Sequence, residues 1–256
     1  MPSELSSGTP SKPEVDFEGF SELCKNSSAE EVALAIQNGA DTRGSLFGWT
    51  PLMFAAKFNG DPGVVRVLAE GGAEVDARDE DGWTALMYAV KFNEETDVIE
   101  ELLKIGADPD VGDGTGTSPL LLALSENRDA EAVKLLIGAG ADVNARNDEG
   151  WTPLTLAACS CDDDEVIRAL LEGSADTESR DGLFSRTALL WAAWGNPNPD
   201  VIEALAGAGA DLEARDLDGW TALLWAAKRN GVAVGPLLKA GAEIVSRFPR
   251  ERAAPS

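Results

Sequence analysis

The residue types able to do chemistry are few in this chain. Of 256 residues, three are Cys and none is His. Imidazole bases, imidazole metal ligands and a His-based pH switch are therefore excluded. The one local cluster is Cys159-Ser160-Cys161 followed by Asp162, Asp163 and Asp164. Two thiolates beside carboxylates offer a divalent ion mixed sulfur and oxygen donors, which is the metal or redox reading of the chain. A Cys-x-Cys pair alone supplies too few ligands for a closed site. The simpler account puts Cys159 and Ser160 at the end of one helix and the Asp run at the start of the next, where negative charge complements the helix dipole. Cys24 reads as a small core residue. The stretch from Gly112 to Gly116 lacks the Lys and the strand–loop–helix setting of a phosphate loop. With 45 acidic residues, carboxylate pairs are everywhere and none is specific to a hydrolytic site. No catalytic residue, cofactor or metal is expected.

Charge and hydropathy exclude more. The formal net charge is −24, which argues against nucleic acid or anionic lipid as partner, because phosphate binding needs a basic patch. An apolar share of 44% suits a folded chain. No window approaches the ~18 apolar residues of a membrane-spanning helix. The first 15 residues have neither a basic nor an apolar signal region. A soluble, cytoplasmic monomer is the expectation.

The elements come from self-similarity. GWTPLMFAAKFN begins at Gly48 and GWTALMYAVKFN at Gly82; related segments begin at Gly116, Gly150, Ser185 and Gly219, in steps of 34, 34, 34, 35 and 34. A second block, of which LLIGAGADVNARN is one copy, recurs inside each unit, and a partial copy starts at Phe17. Each unit reads as two short helices and a turn. Thr50 caps the first helix and Pro51 fits its first turn. Leu52, Ala55 and Ala56 recur at helical spacing. The polar stretch from Asn59 to Pro62 breaks that helix, and Val64, Val65, Val67 and Leu68 line the second. Gly72 supplies a left-handed stop, and a hairpin-like loop crosses to the next unit.

At these residues the chain resembles the ankyrin repeat family, through the T-P-L-x-x-A-A region, the G-A-D loop and the period. The resemblance covers about residues 17–248. It implies an all-α solenoid of about seven helix–turn–helix units, at roughly 17–47, 48–81, 82–115, 116–149, 150–184, 185–218 and 219–248. Together these make one repeat domain, 16–248, between disordered segments 1–15 and 249–256. Three departures stand out. The family's His after T-P-L is replaced by Met53, Met87, Leu121, Thr155, Leu190 and Leu224, so its inter-repeat hydrogen bonds are expected to give way to apolar packing. Ser174 replaces the loop Gly, which predicts a local irregularity. Gly235-Pro236 is expected to interrupt the last outer helix.

The resemblance also implies which residues face a concave groove used for partners. One column is Trp49, Trp83, Thr117, Trp151, Arg186 and Trp220. The pairs after the Ala pair are Lys57/Phe58, Lys91/Phe92, Ser125/Glu126, Cys159/Ser160, Trp194/Gly195 and Lys228/Arg229. The rings either pack between repeats or stand exposed as binding anchors. Packing is favoured for the Gly-Trp-Thr column and exposure for Phe58, Phe92 and Trp194. The candidate partner-binding residues are Trp49, Lys57, Phe58, Trp83, Lys91, Phe92, Trp151, Trp194, Trp220 and Lys228. Acidic residues such as Glu100, Glu101, Glu131, Asp79, Asp81 and Asp218 read as a solvated surface. The expected function is a non-enzymatic scaffold holding a protein in the groove. The alternatives are a regulatory or inhibitory subunit whose acidic surface meets a basic partner, and the metal or redox protein of the Cys159/Cys161/Asp162–Asp164 cluster.

Overall fold

The computed structural model describes residues 16–127, 130–161 and 163–244. The expected tails, 1–15 and 249–256, and Asp162 of the Cys–Asp cluster lie outside the described residues. The chain divides into two compact units between Ala107 and Asp108. The first holds α1 (Phe17–Asn26), α2 (Ala29–Gln37), α3 (Pro51–Phe58), α4 (Pro62–Glu70), α5 (Ala85–Phe92) and α6 (Thr96–Lys104). The second holds α7 (Pro119–Leu122), a π turn at Ala123–Asn127, α8 (Ala130–Gly138), α9 (Pro153–Ser160), α10 (Asp164–Glu172), α11 (Ala188–Gly195), α12 (Pro199–Gly207), α13 (Ala222–Arg229) and α14 (Gly231–Ala240).

Both units are layered alike. In the first, α1, α3 and α5 pack side by side as an inner row, while α2, α4 and α6 form an outer row. In the second, α9, α11 and α13 form the inner row, and α8, α10, α12 and α14 the outer one. Asp16 caps α1, and Thr or Ser starts the first helix of every later repeat: Thr50, Thr84, Ser118, Thr152, Thr187 and Thr221 accept the backbone N–H three residues on. Small Ala pairs such as Ala55/Ala56 and Ala192/Ala193 are fully buried and let neighbouring helices approach. Loops close with hairpin bonds, for example Asp79 N–H to Trp83 O at 3.0 Å and Asp216 N–H to Trp220 O at 3.1 Å. Ser174 takes the left-handed conformation at φ 69°, as its place in the Gly column requires.

The missing His network is replaced in two ways. Met53, Met87, Leu121, Leu190 and Leu224 are buried in the core, as expected, and Thr155 turns its hydroxyl back to Thr152. The structure also supplies inter-repeat hydrogen bonds that the sequence reading had not foreseen. At the ends of α3, α5, α11 and α13 an Asn sends its Nδ2 to two carbonyls of the preceding repeat. Asn59 reaches Cys24 and Ser27, and Asn93 reaches Ala56 and Asn59. Asn196 reaches Ala158 and Cys161, and Asn230 reaches Ala192 and Asn196. The Asn column, read from sequence as a helix breaker, is thus a ladder between inner helices.

Two further expectations are corrected. Gly235-Pro236 does not interrupt α14, which runs unbroken through Pro236. Proline there forfeits one backbone bond, to the carbonyl of Val232, and Val232 is exposed so water can solvate it. Glu101 and Asp79 are not solvated surface either; both are buried. Glu101 accepts a two-pronged contact from Arg66, Nε to Oε1 at 2.6 Å and Nη2 to Oε2 at 2.8 Å, joining α4 to α6.

The Arg66 hydrogen bonds hold the Glu101 carboxyl below its usual range. A depressed folded value means that the stabilisation is complete above the unfolded value of about 4.3 and lost as pH falls through the folded one. Glu101→Gln is therefore expected to lower the urea midpoint at pH 7 and to lose that deficit in acid. A deficit that persists unchanged at pH 3 would show that the pair's charge is irrelevant.

Candidate functional site

Buried loop carboxylates position the inner-row aromatics. Asp79 Oδ1 accepts the backbone N–H of Asp81 and Trp83, and its Oδ2 accepts the Tyr88 hydroxyl at 2.5 Å. Burial first, and Asp79 second, push the Tyr88 phenol above its usual range, so it stays neutral. Asp181 accepts from Leu183, Phe184 and Arg186 N–H and from the Trp191 indole at 3.1 Å. Asp216 accepts from Asp218 and Trp220 N–H and from the Trp225 indole at 2.8 Å. At the equivalent Asn147 the ring position holds Leu156, which has no proton to donate, and a neutral amide serves.

In the first unit the candidate residues come together as one array. Trp49 contacts Phe54 of its own repeat at 5.0 Å and Tyr88 of the next at 4.3 Å between ring centroids. Trp83 and Tyr88 both contact Phe92. The Lys57 ammonium lies 4.2 Å from the Phe92 ring centre, with Trp49, Phe58 and Tyr88 also within 6 Å. Lys91 rests over Trp83 and Phe92. Lys25, which the sequence reading missed, continues the row over Phe54 and Phe58. Trp49 and Trp83 are half-buried, whereas Phe58 is 52% and Phe92 44% exposed. Trp49 thus packs against the next repeat and Trp83 against rings of its own, while the two Phe rings are the more exposed.

In the second unit the candidates fall into two groups. Trp151 contacts Trp191 at 5.0 Å, and Trp191 contacts the half-buried Trp194 edge-on at 5.6 Å. Trp220 is buried against Trp225 at 4.6 Å, and Lys228 lies over both rings. The residue that ties the groups was outside the candidate set. Arg186, which stands in the Trp column, is 6% exposed. Its guanidinium lies 4.6 Å from both Trp191 and Trp225 and 5.7 Å from Trp194. An Arg breaking a column of Trp was the available signal.

Cations sort by layer. Outer-helix cations pair with carboxylates, across repeats in Arg66–Glu101, Lys134–Glu165 and Lys239–Glu203 and within one helix in Lys104–Glu100 and Arg168–Asp164. Loop arginines donate to carbonyls of the next loop, Arg43 to Gly72, Arg146 to Arg180 and Arg180 to Arg215. Inner-helix cations lie on rings. The inner helices α3, α5, α9, α11 and α13 contain no Asp or Glu, in a chain of net charge −24. These five inner helices are therefore free of carboxylates, whereas α1, the first of the inner row, keeps Glu18 and Glu22.

The cysteine cluster is placed by helix geometry. Cys159 lies in the last turn of α9, Cys161 caps that helix, and Asp163 caps α10. Cys161 is buried where other repeats carry the ladder Asn. Burial is the main cause raising the Cys159 thiol, and it pushes Cys24 up to about 12; neither favours a thiolate. Among the described residues no three acidic or sulfur side chains gather to hold a metal.

The family model for ankyrin repeats matches the chain in three overlapping copies, at residues 20–113, 93–181 and 120–216. The chain belongs to the ankyrin repeat family, an all-α repeat class whose members generally mediate protein–protein interaction. No curated protein matches it. No helix among the described residues is long and apolar enough to cross a membrane.

Proposed function

We propose that this chain is a non-enzymatic protein-binding module that holds its partner against the inner row of the first unit. The observation that carries this reading is the pair Phe58 and Phe92. They close successive inner helices, stand about half exposed, and flank a Lys57 ammonium already seated on rings. Core packing does not require a large ring there, since Gly195 and Arg229 occupy the same position in other repeats. Two rings at repeat spacing give a partner adjacent apolar anchors, and Lys57 and Lys91 give it cations at their rim.

Binding partners captured from cell extract and identified by mass spectrometry supply the ligand for the test. Phe58→Ala/Phe92→Ala is expected to keep its melting temperature within a few degrees and to lose more than about tenfold in affinity. A control at the exposed outer-row Glu172 should bind as the parent does. A large fall in melting temperature in the double variant would place both rings in the core and overturn the reading.

A further inference from the structure

We propose that α11 and α13 form a carboxylate-binding site built on Arg186 and Arg229, and that the partner presents an acidic segment to it. Arg186 is nine-tenths buried, yet only its Nε is engaged, by Asp216 Oδ2 at 3.3 Å. Its remaining N–H groups hold no partner among the described residues. Trp191 and Trp225, themselves fixed by Asp181 and Asp216, hold the guanidinium plane from both inner helices. Arg229 closes α13, is exposed, and places its guanidinium 4.5 Å from the Trp194 ring. Among the described residues no carboxylate pairs with it. Gly195, beside Trp194, leaves open space where other repeats carry Phe58 or Phe92.

One half-engaged and one exposed guanidinium therefore share a Trp194 platform with room above it. A guanidinium fork matches a carboxylate in two-pronged geometry. α11 and α13 carry no acid of their own to fill the site. Two guanidiniums can take two carboxylates of one segment at once, a bivalence that a single phosphate lacks, which favours Asp or Glu side chains of the partner.

The biological occupant rests on the protein-binding reading, whereas anion capture does not. The full chain is titrated with a capped hexaglutamate peptide while the Trp194 indole N–H is followed by NMR, the signal being assigned from Trp194→Phe. Hexaglutamate is expected to shift that signal saturably, and hexaglutamine, hexalysine and inorganic phosphate are expected not to. Arg229→Gln, a change on the surface, should fold normally by circular dichroism and weaken the titration by about tenfold, and Arg229→Lys by less. No saturable shift with hexaglutamate, equal binding by Arg229→Gln, or a stronger response to phosphate or hexalysine would each overturn the proposal. Phe58→Ala/Phe92→Ala should bind hexaglutamate as the parent does, so failure of one reading leaves the other standing.

Discussion

Asp216→Ala is expected to destabilise the second unit by about 3–5 kcal/mol, the range for a buried charge left without its counter-ion. One carboxylate there serves four donors: the Asp218 and Trp220 amides, the Trp225 indole and Arg186 Nε. Removing it strands a buried guanidinium and an indole N–H together. The sharper test is Asp216→Asn, which preserves shape. An indole and a guanidinium are donors only, so the Asn Nδ2 meets donors it cannot satisfy. Asp79→Asn should be milder, because the Tyr88 hydroxyl that faces Asp79 is able to rotate and accept. Urea midpoints of both Asn variants decide the matter. Equal losses would mean that donor matching does not govern these loops, and a small loss in Asp216→Ala would mean that Arg186 is solvated rather than buried.

Asn196→Ala is expected to cost about 2–4 kcal/mol, because buried polar groups left without partners are expensive. Its Nδ2 bonds Ala158 O at 3.0 Å and Cys161 O at 2.6 Å, and its Oδ1 accepts the Asn198 N–H at 2.9 Å. Asn196→Asp should be at least as damaging, since it turns an acceptor toward two carbonyls. The control is Asn26→Ala, whose exposed amide reaches only Glu22 on its own helix, and which should stay within about 0.5 kcal/mol. If Asn196→Ala unfolds at the same urea concentration as Asn26→Ala, the ladder does not join the repeats.

What the sequence determined by itself was mostly local, the unbroken passage of α14 through Pro236 being the exception. The period, the Thr caps, the left-handed Ser174 and the helix ends around Cys159 and Asp163 each depend on residues within a turn or two of one another, and the structure carries them all. Exposure of Phe58 and Phe92 was also legible, because the other repeats tolerate Gly or Arg at that position. What only the tertiary structure decided were contacts between residues roughly one period apart. Asn59 looked like a helix breaker until its amide met carbonyls 32 and 35 residues back. Glu101 looked like surface until Arg66, 35 residues away, closed over it. Arg186 stood in the Trp column without an assigned role until Trp225 and Asp216 enclosed it from the next repeat. The reason is physical: charge and polarity set a residue's cost of burial, but whether that cost is met depends on the donor or acceptor that stacking brings opposite it.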